Sequence, residues 1–213
     1  AVCLERPAAN LILFLETYAW ITVYAINPIT LQKYREAFVT SRAKDDGMDA
    51  RFQAELTLTH WEKLPVWKPQ DAQTRRLGQL VLHRRSVVNE RTALTNRLQA
   101  LLKQYFPQAL RLCGDELWRP LATALLLRWP SLQAIQKAQP ATVKEFYHQQ
   151  GSRSATLQAK RLELIRTAVP LTDESAVVDT FAMRVQLICR QLDLVRETIA
   201  AYDTQIDEVF GAH

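Results

Sequence analysis

A regular pattern of apolar residues towards the carboxyl end constrains the fold more than any other feature of the sequence. Its spacings alternate between three and four residues, and its members are Val178, Phe181, Val185, Ile188, Leu192, Val195, Ile199, Tyr202, Ile206 and Val209. The pattern predicts a helix with a coiled-coil seam about 47 Å long. Such a seam requires a partner helix of similar length. This partner could be another helix of the same chain or the same helix in a second copy of the chain. The alternative is an ordinary amphipathic helix on a globular core.

A second long helix is predicted over residues 71–105, with Asp71 as its N-cap and Pro107 as its stop. Apolar residues recur along it at helical spacing, so it is a candidate antiparallel partner for the first. The segment is also strongly basic, because residues 61–107 carry nine Lys or Arg and three Asp or Glu. The arginines that we expect to contact nucleic acid are Arg75, Arg76, Arg84, Arg85, Arg91 and Arg97.

The region between the two long helices is basic as well. Residues 108–172 carry nine basic and four acidic residues, whereas residues 173–213 carry three and eight. A basic middle suits a polyanion, because each neutralised phosphate releases counterions. A solvated face of lysines and arginines is the alternative. Prolines divide this region into short predicted helices at about 116–128, 131–138, 141–149 and 154–168, and a helix-turn-helix arrangement remains open.

Composition excludes several classes of protein. Only five glycines occur, and they are dispersed, so a phosphate-cradling loop or a dinucleotide fingerprint is excluded. No apolar run reaches the ~18 residues that a bilayer span needs, so we expect no membrane partner. Three separated cysteines without a CxxC pair, and four scattered histidines, argue against a zinc site. We therefore expect a mostly helical chain located in the cytoplasm.

The start of the chain has a different pattern. Residues 1–4 predict a buried strand, residues 11–15 a helix and residues 20–26 a second strand. Such a βαβ-like unit belongs in a sheet of several strands, because two strands alone leave both edges open. We therefore expect an α/β domain whose earlier strands are missing from this chain.

Three carboxylates in this first part are candidates for metal chemistry. Glu5 follows the first predicted strand, and Asp46 and Asp49 lie in the first turn of a predicted helix. Residues three apart in a helix project to the same side, and carboxylate oxygens are ligands for hard divalent cations. The alternative is structural, because aspartate is favoured at helix N-termini for capping and for the helix dipole.

Several motifs, in order along the chain, resemble one family. The segment KDDGMDA at residues 44–50 resembles the signature of the DEDD-type insertion-sequence transposases, the RuvC-like recombinases of the insertion-sequence one-hundred-ten family that are guided by a bridge RNA. VCLE at residues 2–5 is similar to the family's acidic strand, and NP with KYREAF at residues 27–38 matches a further stretch. HRR at 83–85, TNRL at 95–98, YFP at 105–107 and RWP at 128–130 extend the resemblance over essentially the whole chain.

The resemblance implies a truncated RuvC-like, RNase H-like domain whose acidic residues hold Mg²⁺. Glu5, Asp46 and Asp49 would be the second, third and fourth of four catalytic metal ligands, and Lys44 would be a phosphate contact or a structural residue. It also implies cleavage and rejoining of DNA strands, with DNA and a guide RNA as partners. Association into a homodimer or tetramer through the coiled coil is implied too, at the bacterial nucleoid in the cytoplasm.

The same resemblance divides the chain into four parts. These are a truncated RuvC-like domain at 1–68, the first helix of a coiled-coil arm at 69–107, a short-helix insert at 108–172 and the second coiled-coil helix at 173–213. The family's first acidic residue and its serine-bearing domain lie outside residues 1–213, so we expect this chain to be inactive alone. A non-catalytic nucleic-acid-binding protein and a structural coiled-coil dimer remain open.

Overall fold

The computed structural model describes residues 1–4, 9–39, 46–68 and 71–211, and this part of the chain is mostly helical with one small sheet. The chain divides into two compact units, Ala1–Asp71 and Ala72–His213. The prediction of a mostly helical chain with a small α/β part at its start is confirmed. The finer division into four parts stays a prediction.

A two-stranded parallel sheet lies in the first unit. Strand β1 (Val2–Leu4) pairs with strand β2 (Val23–Ala25), and helix α1 (Ala9–Glu16) lies between them in sequence. The predicted order of strand, helix and strand is therefore present. β2 is shorter than the predicted strand over 20–26, because residues 17–20 contain the turns that follow α1.

Two further helices of this unit pack against each other. Helix α2 (Pro28–Glu36) begins after Asn27, whose side-chain oxygen accepts a hydrogen bond of 2.9 Å from the backbone N–H of Ile29. The proline at its first position has the φ angle of a helix and no N–H to leave unpaired, so this start is well defined. Helix α3 (Asp46–His60) follows, and a short 3₁₀ helix (Trp61–Lys63) ends it.

A small apolar core holds α2 and α3 together. Its buried members are Ile26, Leu31, Phe52 and Leu56. The ring of Phe52 contacts Tyr34 edge-on at 6.2 Å between centroids and stacks on Phe38 at 6.3 Å. Such aromatic pairs add to the stabilisation that burial provides. Packing of these side chains therefore holds the two helices against each other.

The second unit is entirely helical within its described residues. Its helices are α4 (Ala72–Tyr105), α5 (Ala109–Cys113), α6 (Pro120–Arg128), α7 (Leu132–Gln136), α8 (Pro140–Gln149), α9 (Ala155–Thr167) and α10 (Ser175–Gly211). The four short helices expected between the long ones are present, and α5 is an additional one. α6 begins later than predicted, at a proline that suits a first helical position. Across the described chain, no helix is long and apolar enough to cross a membrane.

The two long helices, α4 and α10, pack against each other in antiparallel orientation. Tyr105 at the end of α4 stacks on Phe181 near the start of α10, with 5.2 Å between ring centroids. Far along both helices, the guanidinium of Arg84 donates hydrogen bonds to the carboxylate of Asp203. All ten residues of the predicted seam are buried or half-buried. Of the two partners that the sequence left open, the structure shows the helix of the same chain.

The short helices build the rest of the core of this unit. Ser131 caps α7 by accepting a hydrogen bond from the N–H of Ala134, and Ser154 caps α9 in the same way. Gly151 has a φ of 77° just after α8, where an L side chain would be strained. The starts of α7 and α9 and the end of α8 are therefore set by local chemistry.

Two polar side chains are buried beneath these short helices. The guanidinium of Arg161 lies 4.3 Å from the ring centroid of Tyr147, and its Nη1 donates to the hydroxyl of Ser152 at 2.8 Å. Within the described part of the chain, its Nε has no hydrogen-bond partner. The hydroxyl of Tyr147 donates to the carbonyl of Leu112 at 3.0 Å. The cation–π contact and these bonds compensate in part for the burial of a charge.

Two cysteines lie in the same core as uncharged thiols. Cys113 and Cys189 are buried, and their burial raises the pKa of each thiol to about 12. A thiolate is the reactive form of cysteine, so these side chains are unreactive at neutral pH. They act here as small apolar side chains that fill space.

The packing of α4 generates a stability prediction with a matched control. Leu98 is 0% exposed, whereas Leu82 of the same helix is 59% exposed. Leu98→Ala should lower the free energy of unfolding by about 3 kcal/mol, because it removes buried methyl groups and leaves a cavity. Leu82→Ala should change it by less than about 0.5 kcal/mol. Urea unfolding followed by circular dichroism checks both, and equal effects would contradict the packing described here.

Candidate metal-binding and nucleic-acid-binding residues

Two of the three predicted carboxylates lie in the first turn of α3. Asp46 is the first residue of the helix and is exposed, and Asp49 is half-buried. Both positions favour a negative charge, because the N-terminal turn of a helix has unpaired N–H groups and a positive dipole end. Asp49 also lies three and seven residues before Phe52 and Leu56, so it shares the face that packs against α2.

Asp49 has a cationic partner on the neighbouring helix. Nη1 of Arg35, on α2, donates to Oδ1 of Asp49 at 2.9 Å, and the two side chains are only 15% and 22% exposed. Partial burial makes such a pair stronger than one in open solvent. Sequence reasoning did not single out Arg35, although the residue belongs to the KYREAF stretch. No spacing within the chain indicates that α2 and α3 meet at this point.

Two predicted site residues, Glu5 and Lys44, lie outside the described residues. Glu5 directly follows β1, and Lys44 precedes α3 by two positions. Among residues 1–4, 9–39, 46–68 and 71–211, no three His, Cys, Asp or Glu side chains come close enough together to hold a metal ion. The described residues therefore include two of the three predicted carboxylates, on one helical turn. That donor set suits an oxygen-preferring ion such as Mg²⁺ but is incomplete by itself.

Two of the predicted nucleic-acid-binding arginines make contacts within the chain. Arg84 pairs with Asp203 of α10, and this hydrogen bond raises the pKa of the guanidinium further above its ordinary value. Arg91 lies over the ring of Trp118, with its guanidinium carbon 4.2 Å from the centroid. Both side chains brace α4 against other parts of its unit. These structural contacts are sufficient to explain the two arginines without a nucleic-acid partner.

The other arginines of α4 differ in exposure. Arg76, Arg85 and Arg97 are exposed, whereas Arg75 is half-buried and has an interaction partner. Among residues 1–4, 9–39, 46–68 and 71–211, these exposed guanidinium groups make no tertiary contact like those of Arg84 and Arg91. They are the part of the predicted basic surface that a polyanion can reach directly.

Each unit contains a groove among its described residues. The larger, of about 610 Å³, runs between α8 and α9 and has an apolar floor that includes Val143 and Leu162, with Lys144 and Arg166 among its lining residues. The smaller, of about 390 Å³, lies between β1 and α3 and is lined by residues that include Cys3 and Thr57. The pKa of the Cys3 thiol is raised above its ordinary value by burial, and a hydrogen bond with Thr57 offsets part of this rise. Sequence patterns indicated neither groove.

Comparison with family models gives one match, to a family described as a transposase, the DEDD transposases of IS110 type. The match covers residues 1–107. It includes the predicted carboxylates, the segment around Lys44 and the whole of α4. The motifs that carry the resemblance in the sequence lie mainly in this range.

Curated proteins give matches of the same kind. A Streptomyces coelicolor protein named as the mini-circle transposase for IS117 is 26% identical over 197 residues, which is 90% of this chain and 47% of that protein. The insertion element IS110 43.6 kDa protein of the same organism is 29% identical over 175 residues, or 80% of this chain and 42% of the other. The chain thus spans about half the length of these relatives. No solved structure gives a significant match.

Proposed function

Because the chain belongs to the IS110-type family of DEDD transposases, we propose that it forms part of a bacterial insertion-sequence transposase that cleaves and rejoins DNA strands. The chain spans about half of its curated relatives, so this activity is proposed for the whole protein. The observation that carries the proposal is the pair Asp46 and Asp49 in the first turn of α3, within the residues that match the family.

The proposed metal ligands are Glu5, Asp46 and Asp49, and the proposed ion is Mg²⁺. When bound, such an ion polarises a scissile phosphate and stabilises the leaving oxygen. The chain's own contribution is to place carboxylate oxygens on one helical turn and to hold that helix firmly. Aromatic packing holds α3 against α2, and this packing defines the position of the first turn of α3 relative to α2. Lys44, two residues before α3 in the sequence, is proposed to contact a phosphate or to have a structural role.

A RuvC-like first domain and a coiled-coil arm are the finer folds that we propose. The parallel pairing of β1 with β2 supports the first, since a RuvC-like sheet contains parallel strands. The antiparallel contact of α4 with α10 along the heptad pattern supports the second. Neither feature is specific to this family by itself. The family match over residues 1–107 is the reason to interpret them in this way.

DNA is the partner that the transposase family suggests, and a guide RNA is a further proposed partner. The exposed arginines of α4 offer the surface for such contacts, since each neutralised phosphate releases counterions. A homodimer or tetramer formed through the long helices is proposed as the working assembly, at the bacterial nucleoid. The expectation that the 213-residue chain is inactive alone stays a prediction, and Mg²⁺-dependent cleavage or joining of DNA by that chain would contradict it.

A metal-binding experiment tests the site. Asp46→Asn and Asp49→Asn should each weaken Mg²⁺ binding to the 213-residue chain by tenfold or more, on the order seen when one ligand or its support is lost. Glu62→Gln is the matched control, since it removes the same charge from an exposed position in the same unit. Isothermal titration calorimetry measures the affinities. Equal affinities for all four proteins would contradict the proposed ligands.

A salt titration tests the nucleic-acid surface. Binding of a short DNA duplex should weaken linearly with the logarithm of salt concentration, and the double change Arg85→Gln with Arg97→Gln should reduce the slope by about 2. Arg84→Gln should change the slope less, because Asp203 already holds that side chain. Fluorescence anisotropy at several salt concentrations measures the slopes.

The salt titration and the metal-binding experiment together separate the proposed function from the alternatives. A structural coiled-coil dimer would show no DNA binding to titrate. A non-catalytic nucleic-acid-binding protein would show the salt dependence but no loss of metal affinity in the aspartate variants. Equal slopes for Arg84→Gln and the double variant would contradict the division of α4 into bracing and exposed arginines.

A further inference from the structure

We propose that Arg35 competes with a divalent cation for the carboxylate of Asp49. This inference rests on the proposed function, because it takes Asp49 as a metal ligand. Arg35 donates from Nη1 to Oδ1 of Asp49 at 2.9 Å, so a unit positive charge already lies against one oxygen of that carboxylate. The pair joins α2 to the first turn of α3, where the other proposed ligand, Asp46, begins the helix.

The surrounding packing holds Arg35 in this position. The preceding residue, Tyr34, contacts the ring of Phe52 and donates from its hydroxyl to Glu55 at 3.5 Å. These contacts fix α2 against the middle of α3, and Arg35 then faces the beginning of that helix. Both members of the pair are largely shielded from water, so their attraction is screened less than that of a surface pair.

Competition follows from charge and geometry. A cation that binds Asp49 must either displace the guanidinium from the carboxylate or share the carboxylate with it. Displacement breaks a half-buried ion pair, and sharing brings two positive charges close together. Either route lowers the affinity for the cation in the free protein. A neutral side chain at position 35 removes that repulsion.

The test uses Mn²⁺ as the probe, the 213-residue chain, and electron paramagnetic resonance of the free ion. Arg35→Gln should bind Mn²⁺ at least about tenfold more tightly than the unmodified chain. Coulomb's law gives a repulsion of about 1.7 kcal/mol between a single and a double positive charge about 5 Å apart, even in a dielectric like that of water, and about 1.4 kcal/mol is a tenfold change in affinity. Arg35→Lys retains the charge and should bind within about twofold of the unmodified chain, since a lysine there repels the ion as the arginine does.

Arg51→Gln is the matched control for net charge. Arg51 is an exposed arginine on the same helix as Asp49, two residues along. Its loss removes one positive charge near the site without breaking the Arg35–Asp49 pair. It should shift the Mn²⁺ affinity by no more than about threefold, because solvent and salt screen an exposed charge. A gain in Arg51→Gln as large as that in Arg35→Gln would overturn a role for the specific contact.

Other outcomes separate the failure of this inference from the failure of the proposed function. Equal Mn²⁺ affinities for Arg35→Gln and the unmodified chain, with binding lost in Asp49→Asn, would overturn competition and leave the metal site in place. Weaker binding in Arg35→Gln would also overturn it, and would show that Arg35 orients Asp49 for the ion. No binding by any of these proteins would overturn the metal site and the inference together.

A second measurement covers the case in which Arg35→Gln does not fold, as judged by circular dichroism. In the unmodified chain, the ion-paired guanidinium of Arg35 should give slowly exchanging Nη protons in the nuclear magnetic resonance spectrum. Saturating Mg²⁺, which is diamagnetic, should abolish that signal if the guanidinium is displaced, or shift it if the guanidinium and the ion share the carboxylate. A signal that persists unchanged at saturating Mg²⁺ would overturn the inference without any variant.

Discussion

Burial of a continuous apolar stripe between two antiparallel helices holds the larger unit together. α10 alone would expose this stripe to water, and α4 covers it along most of its length. The side chains at the centre of the contact include Leu98, Leu102, Ile188 and Leu192, which are essentially inaccessible to solvent. Burial of such side chains is the main favourable term in folding. The short helices α5 to α9 then pack around one part of this pair, so their arrangement depends on it.

The sequence indicated the long helices well because their signal is periodic. Ten positions with spacings of three and four specify which face of α10 is covered, and a proline ends α4. The short helices were located approximately, since serine caps and prolines mark their starts. α5 was missed because its five residues follow α4 with little separation. Local chemistry and periodicity thus predict the elements and the pairing of the two long helices, whereas the packing of the short helices depends on contacts that no spacing encodes.

The candidate site shows the same division. The acidic pair in the first turn of α3 was indicated by a local motif, and the structure places both residues there. The Arg35 contact was not indicated, because it joins residues fourteen positions apart through the packing of two helices. The basic residues of α4 were identified by type alone. Their separation into bracing residues such as Arg91 and exposed residues such as Arg97 required the tertiary structure.

Holding the divalent cation of a DEDD transposase is the role proposed for the carboxylates at the start of α3. Iron-mediated cleavage tests it most directly, because Fe²⁺ in place of Mg²⁺ produces hydroxyl radicals that cut the backbone close to the metal. With ascorbate and peroxide, the chain should be cut around residues 46–49 and around Glu5, and excess Mg²⁺ should suppress the cuts. Cuts confined to other segments, or cuts at these segments that excess Mg²⁺ does not suppress, would contradict the proposed metal site.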